Sequence, residues 1–246
     1  MFGVATDLPV PSWKRTRPTP SARPQLSRDL IVETALKLLD ADGLDGVSMR
    51  RVADELGTGP ASLYAHVANK EELLDLLLDR VIAEIDVPEP DPANWQDQLR
   101  QVGRDMHAVF TRHRDIAAVS LANIPTGAGA LRIADRMMAI MIAGGVPPKV
   151  AGWTLDRLAL YVGADAYEES LYTNRQLASG LSMEKFIEQY IGGIREFYEH
   201  LPRDQFPTLS THVEDLVGGD GDARFEFGLD MIVRSLATYV TDPPAG

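Results

Sequence analysis

The sequence predicts an all-α protein: a small N-terminal three-helix domain carrying a helix-turn-helix, followed by a larger helical domain. Three observations support this. Past Ser27, apolar residues recur mostly at helical spacing, and no segment alternates convincingly enough to be a strand. The stretch 48–70 (SMRRVADELGTGPASLYAHVANK) sets two short apolar-faced segments around Gly57-Thr58-Gly59 and opens a third helix at its end. The run 87–92 (VPEPDP) then breaks the helical pattern and marks a boundary between residues 27–86 and 93–246.

Composition narrows the class. The 246 residues allow one or two domains. Cysteine is absent, so there is neither a disulfide framework nor a thiolate metal site. No signal-peptide pattern opens the chain, and no apolar run approaches the roughly 18 residues of a membrane span, so a cytoplasmic protein with no membrane partner is expected. The formal net charge is −12, unevenly spread: 10 Lys+Arg against 13 Asp+Glu in residues 1–85, and 14 against 23 in residues 86–246. With a Debye length of about 8 Å at physiological salt, a distant acidic body is largely screened, and only the local surface matters to a polyanion.

Residues 1–26 hold Pro9, Pro11, Pro18, Pro20 and Pro24 and show little helical period. They read as an extended arm. Its Lys14, Arg15, Arg17 and Arg23 suit either minor-groove contact or a solubilising tail. Ser27 caps a first helix reaching about Asp42, with Ile31, Ala35, Leu38 and Leu39 on its core face and Gly43 ending it. Ser48 is positioned to cap the second helix, whose Met49, Val52, Ala53 and Leu56 face inward. Pro60 suits the first turn of the third, where a missing N–H costs nothing. Leu63 and Val67 face the core, leaving Pro60, Ala61, Ser62, Tyr64, Ala65 and His66 outward. A short helix with small and hydroxyl-bearing residues outward fits a DNA major groove; an ordinary helical hairpin is the alternative. Asn69 followed by Glu72 is a capping-box arrangement opening a leucine-rich helix to about Ile85.

Beyond the break, helices are expected over 94–111 with Asn94 as cap, 115–122, 127–144, 147 to about 172, 182–200 and 223–239, with 201–222 a mobile loop. Phe225, Leu229, Ile232, Leu236 and Tyr239 follow a heptad-like 4-3-4-3 spacing, and Leu155, Leu158, Ala159, Val162 and Ala166 form a similar stripe. Pairing these two helices with their copies predicts a four-helix homodimer seam. Methionine and aromatic residues gather over three helices of this part. Methionine adapts to irregular ligands, while Tyr and Trp combine an apolar body with a polar tip. Met106, Phe110, Met138, Trp153 and Tyr161 are therefore candidates to line a small-molecule pocket, sited between the end of the leucine-rich helix and helices 94–111, 127–144 and 147–172. No nucleophile–base set, P-loop or dinucleotide glycine motif is present, and His107 and His113 lack partners at metal-ligand spacing, so no enzyme, cofactor or metal site is expected.

The run Leu56-Gly57 … Leu63-Tyr64 … His66-Val67 … Asn69-Lys70-Glu71 resembles the DNA-binding signature of the TetR family of repressors, and the similarity extends from about Ser27 to Tyr239. It implies a dimeric repressor, bound to double-stranded operator DNA of two related half-sites and released by a small-molecule inducer. Arg50 matches a position that reaches a guanine edge, and Tyr64 and Lys70 match positions that grip phosphate. Ser48, Ser62 and His66 are candidates for further backbone contacts, and Pro60 and Ala61 for thymine methyls. Residues 95–100 (WQDQLR) with His113-Arg114-Asp115 are similar to the sensor domain of tetracycline repressors, and Phe225 to Asp230 to the family's last helix. The family's magnesium-binding histidine and drug-binding asparagine fall at Ser120 and Val102 here. The resemblance therefore implies the architecture with a different, largely apolar or aromatic ligand. A carrier or enzyme using the helical cavity without DNA is the alternative from another class.

Overall fold

The structure, a computed structural model, describes residues 25–122 and 126–240, the side chain of Ala122 excepted. Residues 1–24 of the expected arm, with Arg15 and Arg17, lie outside these residues. Twelve α-helices follow one another among the described residues, with no strand.

The N-terminal unit forms as its caps dictate. Helix α1 (Arg28–Asp42) starts where the Ser27 hydroxyl accepts the Leu30 N–H at 3.2 Å, and α2 (Met49–Glu55) where the Ser48 hydroxyl accepts that of Arg51 at 3.2 Å. After Gly57 turns the chain at φ 63°, α3 (Pro60–Leu63) begins on proline, and α4 (Lys70–Ile82) begins at Asn69, whose side chain accepts the Glu72 N–H at 2.8 Å. The capping box closes one residue early: the Glu72 carboxylate takes the Ala68 N–H at 2.6 Å and also pairs with Arg28, fixing the start of α4 against α1. Ile31, Leu39, Val52, Leu63, Val67, Leu73 and Leu77 close the small core with almost no exposed surface.

No helix forms between Ile82 and Trp95. Helix α5 (Trp95–Arg112) then packs against α7 (Ala128–Ala143), α8 (Pro148–Ser179) and α12 (Gly221–Leu236), with α6 (Ile116–Ala122) laid along α8. Helix α4 touches α1, α5, α6 and α7, so one continuous core runs from Ile31 to Leu236. Asn94 does not cap α5. Its amide donates to Asp91 at 2.7 Å, and Asp91 also takes the Ala93 N–H, a local turn that competes with capping.

Three other expectations are corrected. Helix α8 continues seven residues past Tyr172, because nothing in Thr173–Ser179 breaks it. It stops at Gly180, held left-handed at φ 69°. Residues 201–222 are not a featureless loop: α10 (Pro207–Thr211) and α11 (Val213–Val217) pack on α9 (Met183–Glu199), with Val213 and Val217 buried. The heptad-like stripe is not an outward seam. Phe225, Leu229 and Leu236 are buried in the chain's own core, Ile232 packs against that core, and Tyr239 alone is exposed. Leu229 sits over Gly103 of α5, where an added Cβ would stand 2.8 Å from its Cδ1. On α8, Leu158, Val162 and Ala166 are buried in the same core. The spacing marks the face that needs burial, not whether the partner lies in the same chain. The exposed apolar residues are instead Phe227 and Met231 of α12 with Tyr167 and Leu171 of α8.

Candidate nucleic-acid interface and internal cavity

The helix-turn-helix presents its polar residues where the caps put them. Arg50 stands on the first turn of α2 with 87% of its side chain exposed, and it makes a loose 3.8 Å contact to Asp54. Its neighbour Arg51 is not free but pairs with Asp42 at the end of α1. Pro60, Ala61, Ser62, Tyr64 and Lys70 are exposed, Ser48 is half-buried as a cap, and His66 is half-buried rather than fully outward. Among the described residues, α2, α3 and the start of α4 thus form an exposed surface with hydroxyl, phenol, guanidinium and ammonium groups. That inventory suits phosphate and base-edge contacts.

The larger part holds a cavity of about 390 Å³ that opens to solvent past the exposed Leu131, Asp156 and Leu160. Its walls are Ile82 at the end of α4 and Ile85 just past it, Met106 and Phe110 of α5, Ser120 and Leu121 of α6, and Ala130, Leu131, Ile133, Ala134 and Met137 of α7. Leu155, Asp156, Ala159 and Leu160 of α8 complete it. Of the five residues expected to line a pocket, the structure brings Met106 and Phe110 to this wall and the other three elsewhere. Met138 packs half-buried against the core beside it. Trp153 is 65% exposed near the start of α8, with the Lys149 ammonium 4.6 Å above its ring. Tyr161 lies against α12, its ring parallel to Phe225 and its hydroxyl donating to the Phe225 carbonyl at 2.7 Å. Burial, with the charges of Asp165 and Glu226, pushes that phenol up to about 12, so it remains a donor at neutral pH.

Sequence reasoning missed Ile82, Ile85, Ile133, Leu155 and Ser120. The aliphatic ones carried no signal, since an isoleucine facing a void and one facing a neighbour read alike. Ser120 did carry one: it stands where the tetracycline repressors' histidine aligns, and it lines the cavity. Its hydroxyl donates to the Ala117 carbonyl at 2.7 Å, leaving the oxygen as an acceptor. With Asp156 at the wall, the polar groups of the cavity are acceptors in a mainly aliphatic lining. Val102 is buried in the core and does not line the cavity. No group of three or more His, Cys, Asp or Glu among the described residues is arranged to hold a metal ion, and no helix there is long and apolar enough to cross a membrane.

Polar ties join the two regions. His113, buried at the end of α5, lies 3.0 Å from the Asp40 carboxylate of α1 and 3.2 Å from that of Glu84 just past α4. Burial alone would raise the Glu84 carboxyl. The His113 hydrogen bond and the charges of His113, Arg80 and Arg112 outweigh it and hold that carboxyl below its ordinary value. Asp115, at φ 60°, accepts the Leu44 N–H at 3.0 Å and the Asn174 amide at 3.0 Å.

Comparison with known proteins agrees with this geometry. The domain described as "Bacterial regulatory proteins, tetR family" matches residues 31–77, and the "Tetracyclin repressor-like, C-terminal domain" matches residues 87–240. The repressor DrrR1 of Streptomyces coeruleorubidus is 31% identical over 229 residues, covering 91% of this chain and 82% of that protein. Among solved structures, ActR from Streptomyces coelicolor superposes with a TM-score of 0.79 in its complex with actinorhodin and 0.78 in its apo form. Both are 37% identical and cover 89% of this chain and all of that one. The chain therefore belongs to the tetR family of bacterial regulatory proteins: it is a DNA-binding transcriptional regulator and not an enzyme.

Proposed function

We propose that this regulator is a dimeric repressor that leaves a two-fold symmetric operator when a small, largely apolar or aromatic molecule fills the α4–α8 cavity. The observation that carries the reading is the span of one helix: α4 opens at the exposed Lys70 beside the DNA-facing residues, and its last residue Ile82, with Ile85 just past it, lies in the cavity wall. A ligand that moves this wall moves the helix-turn-helix, and in a dimer a small rotation of each unit mismatches both half-sites together. Support for the dimer is the outward apolar face of α8 and α12, with Phe227 and Met231 more than half exposed in the single chain. Support for the ligand class is the aliphatic lining with its two acceptors, together with the relative's complexes with actinorhodin and (S)-DNPA. Arg50 reads a guanine edge, Ser62, Tyr64 and Lys70 hold phosphates, and Arg15 and Arg17 reach the adjacent minor groove.

The test is selection of duplexes from a random pool, followed by titration of the recovered duplex in rising salt, with actinorhodin as the first compound added. A palindromic consensus with steep salt dependence is expected. Recovery of no consensus sinks the operator reading. A consensus duplex that no cavity-binding compound releases sinks the induction reading.

A further inference from the structure

Helix α7 forms one wall of the cavity, yet its own N-terminus is not capped from its own sequence: Gly127 stands at the cap position and has no side chain to offer. The cap comes from another helix. The Asp79 carboxylate, on α4, accepts the Ala130 N–H at 3.1 Å, the third N–H of α7, which a serine or aspartate at the cap would ordinarily take. Two glycines make the approach possible. A Cβ on Gly127 would collide with the Asp79 carboxyl group, and one on Gly129 would stand 2.9 Å from its Oδ1 and 3.0 Å from the Asp79 backbone carbonyl. The start of α7 is thus docked onto the last turns of α4, three residues before Ile82, and Ala130 itself lines the cavity.

We infer that Asp79 is the positioning residue that makes α4 and the α7 wall of the cavity move as one body. Placed on α4 between Lys70 and Ile82, it transmits a shift of the cavity wall to the helix-turn-helix, and a shift of the helix-turn-helix back to the wall. A hydrogen bond to a helix-end N–H from a carboxylate is strong and directional, and helix-end dipoles favour the negative charge there. The Gly127–Gly129 contact leaves no slack between the two elements. The alternative, a purely local cap, stabilises α7 to the same degree whether or not DNA is bound.

This inference rests on the reading of α2–α4 as the operator-binding elements, and its test keeps the two apart. Hydrogen exchange of the α7 amides is followed in the full-length protein, free and saturated with the duplex recovered by selection. Wild type, Asp79→Asn and Asp79→Ala are compared, after thermal melts establish that each folds. In wild type, the duplex is expected to change exchange in the first turns of α7 by about 5–150-fold, the span of typical coupling between sites. Asp79→Asn retains an acceptor oxygen and is expected to keep the change. Asp79→Ala is expected to bring it below about 2-fold while still binding duplex. A merely structural cap raises α7 exchange in free and bound Asp79→Ala alike and leaves the duplex-dependent change intact; that result overturns the inference, as does a wild-type α7 insensitive to duplex. A protein that selects no duplex fails on the operator reading instead.

Discussion

The redirected stripe on α12 yields the sharpest test, because two residues two positions apart are assigned opposite jobs. Leu229 is fully buried over Gly103, whereas Met231 is 57% exposed on the outward face. Leu229→Ala removes three carbons from a site walled by a helix backbone, where collapse is limited. The expected cost is about 2.7–5 kcal/mol, the range for fully buried leucines. For a chain of this size, about 2–4 °C of melting temperature is lost per kcal/mol, so a drop of roughly 5–20 °C is expected. Met231→Glu changes a side chain more than half exposed in the single chain and is expected to leave the folding of each chain within about 0.5 kcal/mol. In an isologous interface, however, each introduced carboxylate approaches its symmetry copy. Thermal melts at two protein concentrations, with sedimentation velocity, separate the effects. The wild-type melting temperature should rise with concentration, as it does when folding is linked to association. Leu229→Ala should keep that dependence and the dimer while melting lower; Met231→Glu should sediment as a monomer with a concentration-independent melt. Dimeric Met231→Glu, or a dissociated Leu229→Ala with an unchanged melt, refutes the assignment of the two faces.

Arg50→Ala should relax discrimination at one base pair of each half-site by about 1–3 kcal/mol, while Lys70→Ala weakens all sequences alike; equal weakening by Arg50→Ala across an operator-variant panel refutes its base-reading role. Deleting residues 1–24 should reduce both operator affinity and the slope of log K against log salt, because four basic side chains go; an unchanged slope makes the arm a tail. Because the Glu84 carboxyl is held below its ordinary value in the folded state, the stability it contributes is complete above the ordinary carboxylate range. That contribution is lost as pH falls through the lowered value. Urea titrations between neutral and acid pH should therefore show a shallower acid limb in Glu84→Gln than in wild type.

Much of the fold was legible because backbone hydrogen bonding is local. Ser27, Ser48, Pro60 and Asn69 announce helix starts through atoms within three residues of themselves, and each start falls where those residues put it. Misreadings occur where a distant or competing group takes over a local role. Asn94 looks like a cap but its amide is drawn to Asp91, and the cap of α7 comes from Asp79, 51 positions away in sequence. The breakers in 201–222 predict a loop, yet Val213 and Val217 find burial against α9, and that tertiary contact supports α11, a helix too short to form alone.

The two faces of the site were legible to different degrees for one physical reason. A DNA-facing surface is defined by what protrudes: Arg50, Ser62, Tyr64 and Lys70 are polar residues on elements whose inward positions are already claimed by Val52, Ala53, Leu63 and Leu73. Amphipathic spacing therefore fixes the outward set almost by itself. A cavity is defined by what is missing between helices, and spacing does not encode that. Trp153 and Tyr161 have the chemistry of ligand contacts, yet each points from α8 to a side away from the void, Trp153 to solvent and Tyr161 to the α12 backbone. Leu155 and Ala159, which looked like part of a dimer stripe, face the void. On a helix apolar around most of its circumference, residue type says only that each position needs a neighbour. Whether that neighbour is α12, a second copy or a bound molecule depends on how α5, α7 and α8 lean together, and that depends on contacts such as Leu229 on Gly103 and Asp79 on Gly127. How closely those helices approach thus depends in part on Gly103, Gly127 and Gly129, where no side chain holds them apart.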